Sequence, residues 1–440
     1  MTLSILISLS ALVCLAAMLR SDRISLGLPF AYLAALCLEH VPGAFARMMN
    51  GNFLIGSRWI ETGIGFTATA SLAFVVGVWS ARFLNPTTPI QGPVDRHRFF
   101  VFCVLGGWFF NYGISFLRGI PTLGAALDKG SAIWMLGVML GLRVALRNGD
   151  VVWMAIWLAA LAVFPILTLL YGGFLSYGAL AVIIVCSILV ISVRSRLRLT
   201  VGAVLAVFVG LTLFVNYYVN RDNIRAVVWR GASGFEQRVD AAKRIFTNFE
   251  WFDPSNARHQ IALDERLNQN YFVGVVADRI ERGQTSYLYG RSLWEALLSL
   301  IPRYIWPSKS VFGGSGDIVA QMTGLVLSRD TSWGVGNVME FYINFGIAGL
   351  IIGFIILGWL IGMLDRKAAL SESRGDLGRT IVCFLPATAL IQPLGSMVEL
   401  TSGSVIALVA AYGWKWAWEH WFAQRTDVPK DPLLSEVGRH

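Results

Sequence analysis

The sequence predicts an all-α, polytopic integral membrane protein with about eleven transmembrane helices and one large, partly helical outer loop. Three observations predict it. The 440 residues are 55% hydrophobic and only 14% charged, with a mean hydropathy of +0.61; a soluble chain of this size needs a more polar surface. The apolar residues gather in blocks of roughly twenty, long enough to cross ~30 Å of hydrocarbon as helices. Basic residues gather in alternate short connections between those blocks.

The spans are placed at 3–19, 25–42, 63–83, 99–116, 131–146, 151–171, 173–193, 201–219, 338–362, 380–397 and 402–420. The first block has no basic residue before it and no A-x-A-like cleavage site after it, so it reads as a retained span rather than a signal peptide. The chain then divides into an N-terminal membrane bundle of eight spans (1–219), a large loop (220–337), three C-terminal spans (338–420) and a tail (421–440). The short basic clusters are Arg20/Arg23, Arg82/Arg96/Arg98, Arg143/Arg147, Arg194/Arg196/Arg198, Arg366/Lys367/Arg374/Arg379 and the tail with Arg425, Lys430 and Arg439. All six fall on one side, which the positive-inside rule makes cytoplasmic. The N-terminus and the large loop are then outside. Long loops translocate largely regardless of their own charge.

The net charge of +9 would point to nucleic acid in a soluble protein. Here many of the basic residues belong to topology-setting loops, and no nucleic-acid partner is expected. The five cysteines (Cys14, Cys37, Cys103, Cys186, Cys383) all fall in apolar spans; they read as small buried hydrophobes, with no disulfide framework. Trp59, Trp306, Trp414, Trp416 and Trp421 lie near predicted helix ends, where an amphipathic ring suits the interface. Gly106-Gly107 and Gly172-Gly173 suit close packing or a tight turn.

The loop 220–337 carries fourteen basic and twelve acidic side chains interleaved with aromatics. Phe235, Val239, Ala242, Phe246 and Phe249 recur at helical spacing and predict an amphipathic helix, broken at Trp251-Phe252-Asp253-Pro254. A second helix is expected from Leu263 to Arg282, with Gly283 as its stop. Leu293 to Ile301 is apolar apart from Glu295, too short to span, and reads as a surface-lying or re-entrant segment ended by Pro302. Ser308 to Gly316 reads as a Gly- and Ser-rich loop.

The chain contains no GxxxxGK[ST], HExxH, paired CxxC or D-x-D sequence. The five histidines are scattered. No nucleotide, metal or other cofactor is expected, so the energy for any outer-face reaction must come with the substrate or from a gradient. The positive signal is the set of guanidiniums, including Arg118 in the outward connection Arg118-Gly119-Ile120-Pro121. The planar fork of arginine donates two parallel hydrogen bonds to a phosphate, although surface pairing with nearby acids would also account for many of these residues. Arg279 and Arg303 are each followed eleven positions later by glycine (Gly290, Gly314). Among the acids, Glu340 opens a span, where a carboxylate is either functional or satisfies the helix dipole. Asp317 follows Gly313-Gly314-Ser315-Gly316 and reads as the end of a mobile turn or as a helix cap.

Tyr289-Gly290-Arg291-Ser292, Ile301-Pro302-Arg303, Ile305-Trp306-Pro307-Ser308-Lys309, Gly334-Val335-Gly336 and Glu340-Phe341-Tyr342-Ile343-Asn344-Phe345-Gly346 resemble bacterial oligosaccharide repeat-unit polymerases. These are the Wzy-type polymerases of O-antigen and exopolysaccharide biosynthesis. The layout, with a large outward loop before the last few spans, is similar too. The resemblance implies an inner-membrane, metal-independent glycosyltransferase with its large loop in the periplasm. Its substrate would be an undecaprenyl-diphosphate-linked glycan drawn from membrane lipid, and its partners a flippase and a chain-length regulator of the same pathway. The diphosphate is then the leaving group. Arg291, Arg303 and Lys309, with Arg279 and Arg118, are its expected ligands, and Glu340 or Asp317 is the expected base. Lipid-linked O-antigen ligases share this architecture. A transporter or flippase of lipid-linked sugars, or a scaffold of an export complex, is the alternative. A transporter should carry charges in mid-span, whereas those within the predicted spans lie near an end.

Overall fold

The computed structural model describes residues 1–49, 56–84, 97–172, 175–229, 236–240, 243, 249–301, 305–306, 315–326 and 333–422. These are helical, with no strand among them. The membrane helices are α1 (Thr2–Asp22), α2 (Leu28–Met49), α3 (Ser57–Ser80), α4 (His97–Trp108), α5 (Pro121–Ser131), α6 (Ile133–Asn148), α7 (Val151–Gly172), α8 (Ser176–Ser192) and α9 (Arg196–Trp229). The loop contributes α10 (Ala257–Arg266), α11 (Asn270–Glu281), α12 (Arg291–Ser299) and α13 (Ser315–Thr323). Then follow α14 (Asn337–Ser373), α15 (Leu377–Leu390) and α16 (Met397–Ala417). Among the described residues α1, α2, α3, α5 with α6, α7, α9, α14 and α16 form eight stretches long and apolar enough to cross a membrane, and α8 and α15 are shorter apolar helices. The protein is a multi-pass, all-α membrane protein.

The central contact is α3 against α14. Lipid tails are as apolar as leucine, so helices in a bilayer gain most from close backbone approach at small residues. A side chain on Gly77 would strike the Ile355 carbonyl, and one on Gly358 the Phe74 carbonyl. Gly107 likewise lets α4 meet the backbone of α6 at Trp134. The cysteines are free, as expected, but only Cys37, Cys103 and Cys383 are buried and Cys14 is exposed.

One end of the bundle gathers the basic connections. Asp22 takes hydrogen bonds from both Arg82 and Arg366. Arg20 donates to the carbonyls of Val190 and Arg194, and the buried Arg143 pairs with Glu372 at 3.3 Å. Asp365 closes the start of α2 by accepting from the backbone N–H groups of Leu26 and Leu28. Five of the six clusters grouped by charge in the sequence are thus grouped in space; the tail with Arg425, Lys430 and Arg439 lies outside the described residues.

At the opposite end the loop is built into the bundle. The single helix expected over 263–282 is two, α10 and α11, because the turn at Leu267–Gln269 enters the hydrogen-bond ladder of α2. Pro42 interrupts α2. There the Gly43 N–H donates to the Leu267 carbonyl at 3.0 Å, and the Glu39 carbonyl accepts from the Gln269 N–H at 3.1 Å. A proline removes one rung, and the inserted peptide satisfies the groups left open. Asn270, fully buried, completes the joint: its amide donates to the His40 carbonyl at 2.6 Å, and its Oδ1 lies 2.8 Å from His40 Nδ1 and 3.2 Å from Thr67 Oγ1. Gly283 ends this region in a left-handed conformation (φ 69), as its position after Arg282 predicts.

Further boundaries differ from the sequence expectation: α2 runs on to Met49 and α14 to Ser373, and the α-helix of the span placed at 99–116 ends at Trp108. α9 continues ten residues beyond 219, to Trp229; its 34 residues measure about 51 Å, more than a bilayer core. Thr212 Oγ1 and the Asn216 side chain on it hold the backbone of Glu250 and Phe252. The span placed at 380–397 ends at Leu390, and α16 begins at Met397, so Gln392-Pro393-Leu394-Gly395 is a break rather than helix. α14 is itself broken at Phe345 (φ −143, ψ 24) and Gly346 (φ 65, ψ −149), the latter a left-handed conformation suited to glycine. The amphipathic helix expected over 235–249 lies largely outside the described residues, of which 236–240 are helical.

α12 shows where lipid begins. Its inward residues are Ser292, Glu295 and Ala296, while Trp294 (60% exposed), Leu297 (54%) and Leu300 (39%) face outward. This is the reverse of a soluble amphipathic helix and is stable only where the outside is apolar. The segment read as surface-lying or re-entrant is therefore a short helix whose exposed apolar face suits a lipid surrounding.

Because a Cβ at residue 43 would lie 2.3 Å from Asn268 Cβ and 2.6 Å from the Leu267 carbonyl, Gly43→Ala should expel the inserted turn. The expected cost is about 1–3 kcal/mol, read as a lowered thermal midpoint of the purified protein in detergent. Gly202→Ala, whose Cβ meets nothing within 4 Å, is the neutral control. Equal midpoints for the two variants would refute the joint.

Candidate functional site

Three helix starts converge beside α12. α14 begins after Gly334-Val335-Gly336, where the Gly336 and Asn337 N–H groups donate to the carbonyls of Leu394 and Pro393 in the α15–α16 break. Asn337 Nδ2 donates to Gly395, and its Oδ1 accepts from the Tyr32 hydroxyl. α16 begins with a capping box: Ser396 Oγ accepts from the Glu399 N–H, and Glu399 Oε2 accepts from the Ser396 N–H. α13 begins at Ser315, whose hydroxyl donates to Glu399 Oε1 at 3.1 Å.

Glu340, fully buried, sits in the first turn of α14 and accepts the Met397 N–H at 2.7 Å through Oε2. Its carboxylate thus faces the positive end of α16 as well as that of its own helix. Glu340 Oε1 makes no hydrogen bond of standard geometry among the described residues, although the Ser292 hydroxyl lies beside it. Asn344 Nδ2 bridges the Glu340 carbonyl and Ser292 Oγ. Glu295 and Glu399 are near enough to act on Glu340 electrostatically. Lys129 of α5, against Gly403, is the cation that Glu399 acts on. Three carboxylates and one lysine therefore occupy a membrane-embedded region, a costly arrangement that marks function or pairing.

The expected site residues fall into three groups. Glu340 and Arg291 are brought together through Ser292 and Asn344; Arg291 is 57% exposed and reaches Glu295 at 3.3 Å. Asp317 is exposed in the first turn of α13, two residues from the Ser315–Glu399 contact, and so belongs to a helix rather than to a turn. Arg279 Nε donates to the Met322 carbonyl at the end of α13, which makes it a helix-end tie. Arg303 and Lys309 lie outside the described residues, as does the Arg118 side chain; its backbone is in a short 3-10 turn, Ser115–Gly119.

Glu295, Glu399, Lys129, Ser292 and Asn344 were not singled out as site residues by their sequence positions. Glu399 had a legible signal: Ser396-Met397-Val398-Glu399 before an apolar run is a capping box. A second basic group was missed as well. Arg266 lies with its guanidinium 4.8 Å over the Trp333 ring, and burial together with nearby Arg221 and Arg225 lowers its pKa. The Arg291 guanidinium, the buried Glu340 carboxylate beside the Ser292 hydroxyl and the helix N-termini can together hold an anionic headgroup and accept a proton from a hydroxyl. Among the described residues no group of His, Cys, Asp or Glu could hold a metal ion. No known protein family, curated protein or solved structure matches this chain.

Proposed function

We propose that this protein polymerises oligosaccharide repeat units carried on undecaprenyl diphosphate, in O-antigen or exopolysaccharide biosynthesis at the periplasmic face of a bacterial inner membrane. The observation that carries the reading is α12. Its outward side is apolar (Trp294, Leu297), while its inward Glu295 faces the Glu340 cluster and Arg291 stands at its exposed start, an arrangement that suits a polyprenyl diphosphate whose tail lies in the bilayer and whose charge lies at the interface. Arg291 stabilises the charge that builds on the diphosphate as the glycosidic C–O bond breaks. Glu340 accepts the proton of the attacking sugar hydroxyl, whose oxygen bonds to the anomeric carbon. The diphosphate leaves with the bonding electrons, so neither nucleotide nor metal is consumed. The substrate would arrive by a flippase, and a chain-length regulator would act on the product.

A second reading has its own support. Helices broken at Phe345–Gly346 and between α15 and α16, with N-termini aimed at a buried polar cluster, are an arrangement also used by transporters, so a carrier of lipid-linked sugars is the alternative. Reconstituted protein separates the two: polymer formed from lipid-linked units supports the polymerase, whereas units moved between leaflets without polymer support the carrier.

Four outcomes are expected. Reporters fused after Arg198 and after Arg374 read as cytoplasmic and one at Asn256 as periplasmic; a cytoplasmic signal at Asn256 would overturn the orientation. Arg291→Ala lowers the polymerisation rate about hundredfold at equal expression, with only partial recovery in Arg291→Lys, which lacks the bidentate fork. Glu340→Gln, nearly isosteric, lowers it by about 10²–10⁴. Full activity in either Arg291→Ala or Glu340→Gln removes that residue from the chemistry. Polymer formation continues with EDTA and no added nucleotide; loss of activity in EDTA, restored by one divalent metal, contradicts the metal-free scheme.

A further inference from the structure

Next to the carboxylate cluster, the break in α14 opens a cleft of about 560 Å³, within the usual size range of small-ligand sites. Its lining is mainly aromatic: Tyr287, Tyr289, Tyr342 and Phe345, with Asn344 and Gly346 at the break. The Tyr287 ring stands edge-on to both Tyr289 (6.2 Å, 68°) and Tyr342 (6.1 Å, 64°). The connection that carries Tyr287 and Tyr289 is fastened to the break itself. The Ile343 carbonyl accepts the Leu288 N–H at 2.8 Å, and a Cβ on Gly346 would crowd the Tyr287 hydroxyl at 3.2 Å.

Two features set this cleft apart from an ordinary aromatic belt. Tyr289 has a left-handed backbone (φ 46), an uncommon and strained state for an aromatic residue, and its side chain is 75% exposed. Anchoring at an interface requires an aromatic ring but no strained backbone. Asn344 Oδ1 is buried with no hydrogen-bond partner among the described residues, while its Nδ2 joins the cleft to Ser292 and Glu340. An orphaned amide oxygen beside aromatic faces suits a ligand with apolar C–H faces and hydroxyl donors at its edge, which is a pyranose ring. A hydrocarbon tail would leave that oxygen unpaired.

We propose that this cleft is the subsite for the glycan portion of the substrate: Tyr289 supplies a stacking face, Tyr287 a flanking hydroxyl, and Asn344 Oδ1 accepts a sugar hydroxyl. The proposal rests on the reading of the substrate as a lipid-linked glycan. It places the sugar next to Glu340 while Arg291, which directly follows Gly290, attends to the diphosphate.

The test uses the full-length protein in nanodiscs and two probes, each titrated calorimetrically. One is the oligosaccharide released by mild acid from the host's lipid-linked pool; the other is undecaprenyl diphosphate without sugar. Tyr289→Gly deletes the ring at a backbone angle that glycine adopts freely, and Tyr289→Asn does the same with a side chain tolerated there. Both variants should melt with the wild type, bind the oligosaccharide at least tenfold more weakly, and bind undecaprenyl diphosphate unchanged. Undiminished oligosaccharide binding in both variants overturns the subsite. A wild type that binds undecaprenyl diphosphate but no oligosaccharide overturns the subsite and leaves the diphosphate-lipid reading standing. A wild type that binds neither removes both.

Discussion

The insertion of Leu267–Gln269 into α2 is the constraint on which the half of this protein opposite the basic end depends. At membrane depth a peptide without partners leaves backbone groups unsatisfied, and neither water nor lipid can supply them there. The kink at Pro42 opens donors and acceptors in α2, and the turn between α10 and α11 has the complementary set. Their exchange fixes the start of α11, which then lies on α3 so closely that the Gly274 backbone abuts the Trp59 carbonyl. Since α3 is also the partner of α14, the position of Glu340 follows from a hydrogen-bond exchange made in a different pair of helices. The buried His40–Asn270–Thr67 contacts are the polar remainder of that joint.

From this anchoring comes a division of labour between the two ends of the bundle. The basic end is closed by side-chain ties such as Asp22 with Arg82 and Arg366, and Asp365 on the first turn of α2. The opposite end is instead interrupted three times, at Pro42, at Phe345–Gly346 and at Gln392–Gly395. Each interruption exposes backbone groups that another segment satisfies. Regular helices would leave no room for a polar cluster, because every backbone group is spent within its own helix. The irregularities are what allow Glu340, Glu399 and Glu295 to share an apolar surrounding with Lys129.

Much of this was legible in the sequence, for reasons tied to particular residues. Hydropathy located the helices, and the short basic clusters grouped the connections that the structure gathers around Asp22, Arg20 and Arg143. The apolar run after Arg291 was correctly separated from the spans by its length. What was not legible involves partners remote in sequence. Nothing near Leu267 announces that its carbonyl will bond to Gly43, so α10 and α11 read as one helix. Pro393 and Gly395 signalled a break that hydropathy averaged away, and the capping box at Ser396 was the local clue to Glu399. Glu340 stood out because a carboxylate at the head of an apolar run is rare; Asn344 and Ser292 did not, because their importance is geometric. For Arg279 charge alone suggested an anion, whereas its neighbour proves to be the Met322 carbonyl.

The reversed amphipathicity of α12 also gives the protein a preferred membrane thickness. Trp294, Leu297 and Leu300 suit one hydrocarbon boundary, and the basic end around Asp22 suits the other. The distance between them follows from α3 and α14, whose backbones meet closely at Gly77 and Gly358. Lipids with longer acyl chains would either submerge α12 or force the surrounding bilayer to thin, at a fraction of a kcal/mol for each ångström of mismatch. The height of the carboxylate cluster relative to lipid headgroups is therefore a property of protein and bilayer jointly, and it shifts with the acyl chain length of the surrounding membrane.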